Sequence, residues 1–291
     1  MSLKLKAKNT LFRILNMLPE KVGDSFYHKA QEWFDSSSIH YKIKSSQSSY
    51  LTFQRLTKKA GISVLDKSVI EIGSGWLPLM PYFFKYMGKV STVETYDLNK
   101  HYNKKNIGNL NLEFYEKFKI PLERAQNGKF NLPEGIRYYP KTDLTKVAIK
   151  NAELVFSRFV LEHVSPLDIK RMHQKFKKEI PDAYIIHLIS PSDHRSYVDK
   201  NLSNQDFLRF NEEEWKKKQT RFDYHNRLRL PQYLEIFKDL GYEVLLLEFE
   251  SANKSSDTYK KFKNVPLHAD YEKYSDEELT AGSINIVLKL G

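Results

Sequence analysis

The sequence predicts an α/β protein built on a mostly parallel sheet of seven strands, with helices on both faces and a helical cap at its N-terminus. Three observations carry this reading. From residue 68 onward, short apolar runs that read as strands alternate with helical segments, the pattern of parallel strands joined by right-handed crossovers. One of these runs, Val69-Ile70-Glu71-Ile72, breaks into Gly73-Ser74-Gly75 and then into a helix whose first turn holds Pro78. The chain closes with two more strand-like runs, 243–249 and 283–290.

Length and composition set the frame. With 291 residues and 41% apolar content, the chain can bury the core of one large domain or at most two. Residues 1–62 read as the helical segment, and 63–291 as the sheet domain with an inserted stretch at about 191–230. No run of about 18 apolar residues is present, nor a small-residue cleavage site after an early apolar core, so a cytoplasmic protein is expected. The absence of cysteine excludes disulfides, thiolate catalysis and Cys-ligated zinc, leaving His, Asp and Glu for polar chemistry. A formal charge of +11 favours an anionic partner such as a nucleic acid, a phosphorylated sugar or an acidic membrane surface. The lysines are scattered, so charge alone does not choose among these or set them above an ordinary solvated surface.

Taken in order, residues 3–18 place Leu11, Phe12, Ile14, Leu15 and Leu18 at helical spacing among lysines. Such a basic amphipathic helix packs on its own domain or makes a peripheral contact with a membrane or partner. A helix near 24–34, a Ser-rich loop (Ser36 to Ser38, Ser45 to Ser49) and a helix near 49–60 follow. Strands are expected at 68–73, 92–97, 135–139, 152–157, 183–190, 243–249 and 283–290, with helices at 78–87, 167–179 and 231–240. Residues 99–134 read as a polar, partly helical insertion. His187, inside a strand, reads as structural. Ligands in open sheets gather at the carboxyl ends of the strands, which places Asp193 and His194, just past the fifth strand, where a second substrate would lie.

Glu71-Ile72-Gly73-Ser74-Gly75 resembles the first motif of the class I S-adenosylmethionine-dependent methyltransferases, although the family's third glycine is Trp76 here. A dinucleotide site would want a third glycine at Pro78. The resemblance implies a Rossmann-like sheet with its last strand antiparallel, and S-adenosylmethionine as cofactor. It assigns the cofactor to Glu71, Gly73, Ser74, Gly75, to Asp97 with Leu98 at the ribose, to Asp143 with Leu144 at the adenine, and to Ser157. Asp143 reads equally well as a helix cap. The stretch 154–164, LVFSRFVLEHV, is similar to the family's segment after the fourth strand. Some members carry Glu-x-x-Glu-His there and bind a divalent metal. Phe159 replaces the first Glu, so no metal is expected.

The segments 187–194, 204–210 and 224–231 resemble a branch of these enzymes found in bacterial capsule and O-antigen pathways. Methyl transfer to a hydroxyl of a sugar or sugar-linked group is therefore expected. His194 is the first candidate for the base, Asp193 orients it or acts instead, and His163 is next. Arg195, Tyr224, Asn226, Arg227 and Arg229 are candidates for acceptor binding, the arginines for an anionic group. Three other readings stay open: a nucleic-acid or other small-molecule methyltransferase, an NAD-dependent sugar-modifying enzyme, and a non-catalytic methyltransferase-like binding protein. No Asn-Pro-Pro-Tyr-like base-clamping motif supports nucleic acid as the partner.

Overall fold

A computed structural model describes residues 2–19, 22–27, 38–122 and 128–291. At its centre is a seven-stranded sheet in the order β3-β2-β1-β4-β5-β7-β6. The strands are β1 (Ser68–Ile72), β2 (Thr92–Asp97), β3 (Ile136–Pro140), β4 (Leu154–Arg158), β5 (Tyr184–Ile189), β6 (Tyr242–Glu250) and β7 (Gly282–Leu290). The first five run parallel and β7 is antiparallel to both β5 and β6. This is the Rossmann-like arrangement expected from the sequence, and it points the ends of β1, β2, β4 and β5 to one edge.

Successive residues of a strand face opposite sides, and the two cores divide accordingly. Val69, Val93, Leu154, Phe156 and Ile186 face one core; Ile70, Val155, Ile185, Ile284 and Ile286 face the other. The first core is closed by α2 (Ile39–Lys59), α3 (Leu79–Tyr82) with the wider π-type turn Phe83–Met87, and α4 (Lys104–Phe118). The second is closed by α5 (Pro166–Glu179) and α8 (Leu230–Asp239). Ser165 caps α5 by accepting from the Asp168 N–H, and Pro166 occupies a first-turn position that needs no donor.

The chain departs from the expected outline in three places. Ser45, Ser46 and Ser49 lie within α2 and are not a loop, because their hydroxyls accept from the guanidinium of Arg158, at 3.0, 3.4 and 2.7 Å. The helix expected at 24–34 is seen as residues 22–27, its remainder lying outside the described residues. The connection between β6 and β7, where none of the expected helices falls, holds three short helices at Asp257–Lys263, Ala269–Glu272 and Asp276–Thr280. These pack on the inserted stretch through a third small core of Phe207, Leu208, Trp215, Phe262, Tyr271 and Leu279. The insertion therefore has a partner from the end of the chain.

The N-terminal helix α1 (Leu3–Met17) buries Leu5 and Leu15 and lies against the short helix α6 (Arg195–Val198). Arg221 donates to the Asn16 and Leu15 carbonyls, and Phe12, Tyr27 and Phe222 form an aromatic group with centroids 4.5–6.1 Å apart. α1 thus covers the inserted stretch at the carboxyl edge of the sheet. Its other face leaves Leu3, Ile14 and Met17 exposed. No helix among the described residues is long and apolar enough to cross a membrane.

Candidate active site

The edge begins at the turn after β1. Gly73 and Gly75 both take positive φ, +76° and +60°, which glycine adopts without the steric cost of a Cβ. A Cβ on Gly73 would stand 2.5 Å from a methyl of Val160, so the turn after β1 is pressed against the loop after β4. A Cβ on Gly75 would meet nothing within 4 Å, so the main chain there is open to a ligand.

Carboxylates stand on either side of this turn. Glu71, buried under it, accepts from the Thr95 hydroxyl at 2.5 Å, and burial pushes its pKa up to about 8 against the pull of that hydrogen bond and of Arg158. Asp97, at the end of β2, accepts from the Ser74 hydroxyl at 3.1 Å and from the Asn99 N–H at 2.7 Å, with His101 Nε2 at 3.5 Å. Each carboxylate oxygen has two acceptor directions, so Asp97 keeps capacity for a diol. Tyr102 donates to the Ser74 carbonyl and fixes the turn from behind. Leu98 is 70% exposed beside Asp97.

Three of the other residues expected at the cofactor are engaged elsewhere. Asp143 Oδ1 accepts from the N–H and hydroxyl of Thr145, and its other oxygen pairs with Lys146, which is the local capping geometry. Leu144 is buried in the second core. Ser157 is a correction: its side chain is fully buried and bonded to His187 Nδ1 at 2.7 Å, and it does not reach the loop edge. The tautomers follow in sequence. His173 Nδ1–H donates to the Ile169 carbonyl, so its Nε2 accepts from His187 Nε2–H, and His187 Nδ1 accepts from Ser157. Burial lowers the pKa of both rings, that of His173 to about 4, and His187 is structural as expected.

On the acceptor side, the structure corrects Asp193 and the arginines. Both oxygens of buried Asp193 are taken by Arg195, with contacts of 2.6, 3.0 and 3.1 Å. Arg195 also pairs with Asp206 at 3.1 Å and lies over the Trp215 ring. This carboxylate is the counter-ion of a structural arginine. Arg227 donates to the carbonyls of Phe207 and Phe210 and pairs with Glu212, and Arg229 donates to the carbonyls of Arg227 and Leu279. Both are buried ties that hold the insertion to the third core. Asn226 is spent as well, its amide donating to the Leu161 and Val164 carbonyls while its oxygen accepts from the Leu228 N–H. Tyr224 lines a separate cavity of about 440 Å³ with Gln232 and Tyr271.

The remaining candidates, His163 and His194, are brought together, and a third ring that sequence reasoning did not select joins them. The centroids of His163, His194 and His225 are 4.1–5.1 Å apart. Each ring offers a nitrogen, and these atoms all lie within 4.8 Å of one another. His163 ends the 3-10 turn Leu161–His163, and its Nδ1–H donates to the Tyr224 carbonyl at 3.0 Å, which leaves Nε2 as the acceptor. His194 opens α6 and stacks on Tyr197. His225 is placed by its own backbone, its N–H donating to Gln219 and its carbonyl accepting from Trp215 Nε1 at 3.0 Å. Desolvation lowers all three pKa values, with His194 brought down to about 3, so the rings are neutral. Lys8 of α1 is close enough to act on His194 and His225, and burial lowers its pKa against Asp223 and Asp193.

Val160, which touches the Gly73 turn, is three residues from His163. The turn after β1 and the histidine cluster thus flank the same loop after β4. Glu162, between them, is buried, accepts from the Ser190 N–H and has its pKa raised to about 8 by desolvation. A cavity of about 730 Å³ lies elsewhere: it is lined by Ile70, Glu94, Tyr96, Arg137 and Tyr139, where the crossover from β3 to β4 carries no helix.

No family model matches the chain, and no curated protein matches it. Among solved structures, it is similar to magnesium protoporphyrin IX methyltransferase from Synechocystis PCC 6803 with bound SAH, at 13% identity and TM-score 0.48, covering 91% of this chain and 94% of the other. A DhpI–SAH complex gives 14% identity and TM-score 0.45 over 92% and 94%. Mitomycin 7-O-methyltransferase gives 10% identity and TM-score 0.43 over 99% and 68%. At this level the reading of the site rests on its own geometry.

Proposed function

We propose that the protein transfers a methyl group from S-adenosylmethionine to a hydroxyl of a sugar or sugar-linked acceptor. The observation that carries this reading is the pair of positive-φ glycines after β1 with Asp97 held beside them by Ser74. Gly75 gives the cofactor's amino-acid part an open stretch of main chain, and Asp97 offers acceptors to the ribose diol. Asp97 lends negative potential to a site for a cationic sulfonium. Methyl transfer is an in-line displacement in which positioning supplies most of the acceleration. The acceptor hydroxyl belongs against His163 and His194, under α1, because these neutral rings and the turn flank the same loop after β4 and Asp193 is already spent on Arg195. The choice of a sugar follows the resemblance of the 187–231 segments.

The test begins with calorimetry of S-adenosylhomocysteine. Asp97→Ala removes charge-assisted hydrogen bonds worth about 1.5–3 kcal/mol each, so affinity falls at least about tenfold. Unchanged affinity in a folded variant refutes the cofactor assignment, and binding of NAD(P)H in its place revives the dehydrogenase reading. A methyl-transfer screen over nucleotide sugars and short glycans then tests the acceptor class.

A further inference from the structure

We propose that His163, His194 and His225 form a binding site for a divalent transition metal of the zinc, cobalt or nickel class. Its part in methyl transfer rests on the function proposed above, whereas the metal site itself does not.

The expectation of no metal came from Phe159, which stands where an acidic ligand would. Phe159 bears on one loop only. The folded chain assembles a donor set from three, after β4, after β5 and before α8, and none of it uses position 159. Phe159 instead turns outward, with the Arg158 guanidinium 4.8 Å from its ring centroid.

Three features mark the cluster as a ligand site rather than packed rings. The first is the orphan nitrogen of His225. This residue is only 5% exposed, and its buried Nε2 meets no hydrogen-bond partner among the described residues. A buried polar atom without a partner is costly, and a ligand supplies one. The second is the bond from His163 Nδ1–H to a backbone carbonyl. That contact fixes the tautomer and orients the other nitrogen, which is how metal-bound histidines are commonly held. The third is size. Three nitrogens at the corners of a triangle no wider than 4.8 Å stand at most about 2.8 Å from its centre. Metal–imidazole bonds of about 2.0–2.1 Å need each ring to close by roughly 0.7 Å, which side-chain rotation provides.

An all-imidazole donor set without a carboxylate selects borderline transition metals over magnesium or calcium, which prefer oxygen. Three protein ligands leave a fourth position free for water or substrate. A hydroxyl bound there is made more acidic. The O–CH₃ bond then forms as the S–CH₃ bond breaks, the sulfonium becomes a neutral thioether, and the hydroxyl proton leaves to solvent past the exposed His163. Lys8 and the buried Arg229 both oppose a cation here, and removing the Lys8 charge has a specific expected sign.

The test uses the untagged full chain, stripped with a chelator and titrated with Co²⁺, read by the visible absorption of the bound ion and by calorimetry. One equivalent should bind with micromolar or tighter affinity. His163→Ala and His194→Ala should each weaken it at least about tenfold, while His268→Ala, outside the cluster, leaves it unchanged. Lys8→Met should tighten binding by removing a positive charge. His163 is exposed, so its variant keeps the test sound if His225→Ala fails to fold. No saturable one-to-one binding below millimolar Co²⁺, or affinity that survives both His163→Ala and His194→Ala, overturns the proposal. S-adenosylhomocysteine affinity, measured separately, reports on the methyl-transfer reading and not on the metal.

Discussion

Asp193→Ala separates a structural carboxylate from a catalytic one. Asp193 is 1% exposed and receives two guanidinium nitrogens and the backbone N–H of Arg195. Deleting one partner of a buried pair costs about 3–5 kcal/mol, because the remaining charge stays desolvated. Asp206 still faces Arg195, which favours the lower end. For 291 residues the unfolding entropy is about 0.6 kcal/mol/K, so the melting temperature should drop by about 5–8 °C. Scanning calorimetry reads this directly. Turnover measured well below the new melting point should stay within about tenfold of the parent, whereas removal of a general base would cost about 10²–10⁴. The double variant Asp193→Ala/Arg195→Met supplies the control. Replacing a buried ion pair as a whole by apolar groups is often close to neutral, so the second change should restore part of the lost stability. A melting temperature unchanged within about 1 °C together with a hundredfold loss of turnover, or a double variant less stable than the sum of the singles, would refute the structural assignment.

Three further outcomes follow from the same geometry. Glu71 is held protonated in the fold up to about pH 8 but ionises near 4.5 when unfolded, so its contribution to stability falls as pH rises between those values, by at most about 5 kcal/mol. Glu71→Gln should gain on the parent across that window in urea unfolding, and parallel pH curves would contradict the assignment. Ser157→Ala should cost about 1–3 kcal/mol by leaving His187 Nδ1 unpaired, with S-adenosylhomocysteine affinity unchanged in calorimetry; a loss of affinity without loss of stability would return Ser157 to the cofactor. Gly73→Ala should lower the melting temperature more than Gly75→Ala, since only the first drives a Cβ into Val160, and equal losses would show that the turn is not packed as described.

The fold was legible because its signals are local. Each strand is a short apolar run, the Gly-x-Gly break has a steric meaning at one position, and Pro166 after Ser165 marks the start of α5 unaided. What was missed depends on distance along the chain. Ser45 to Ser49 look like a loop by composition, and only the Arg158 guanidinium, more than a hundred residues away, makes three serines on one helix a binding face. The helices between β6 and β7 are short and gain their hydrophobic partners from the insertion at Phe207 and Trp215.

The candidate site shows the same division, and shows why charged residues misled. The sequence places Asp97, His163 and His194 at the carboxyl edge because each ends or follows a strand, and topology alone is enough for that. It cannot tell a free arginine from a spent one. Arg195, Arg227 and Arg229 look like anion-binding groups, yet most of their donors go to Asp193, Asp206, Glu212 and four backbone carbonyls, with Arg227 Nε and one terminal nitrogen of Arg229 buried and unpartnered among the described residues, so the basic cluster holds the insertion in place. That rigidity is what serves the site. The arginines fix the inserted loop, the loop carries His225 through its backbone bonds to Gln219 and Trp215, and His225 meets two histidines from other loops beneath Lys8. Among the described residues, three neutral imidazoles face one another at this edge, an arrangement that suits a proton or a metal ion better than simple anion capture.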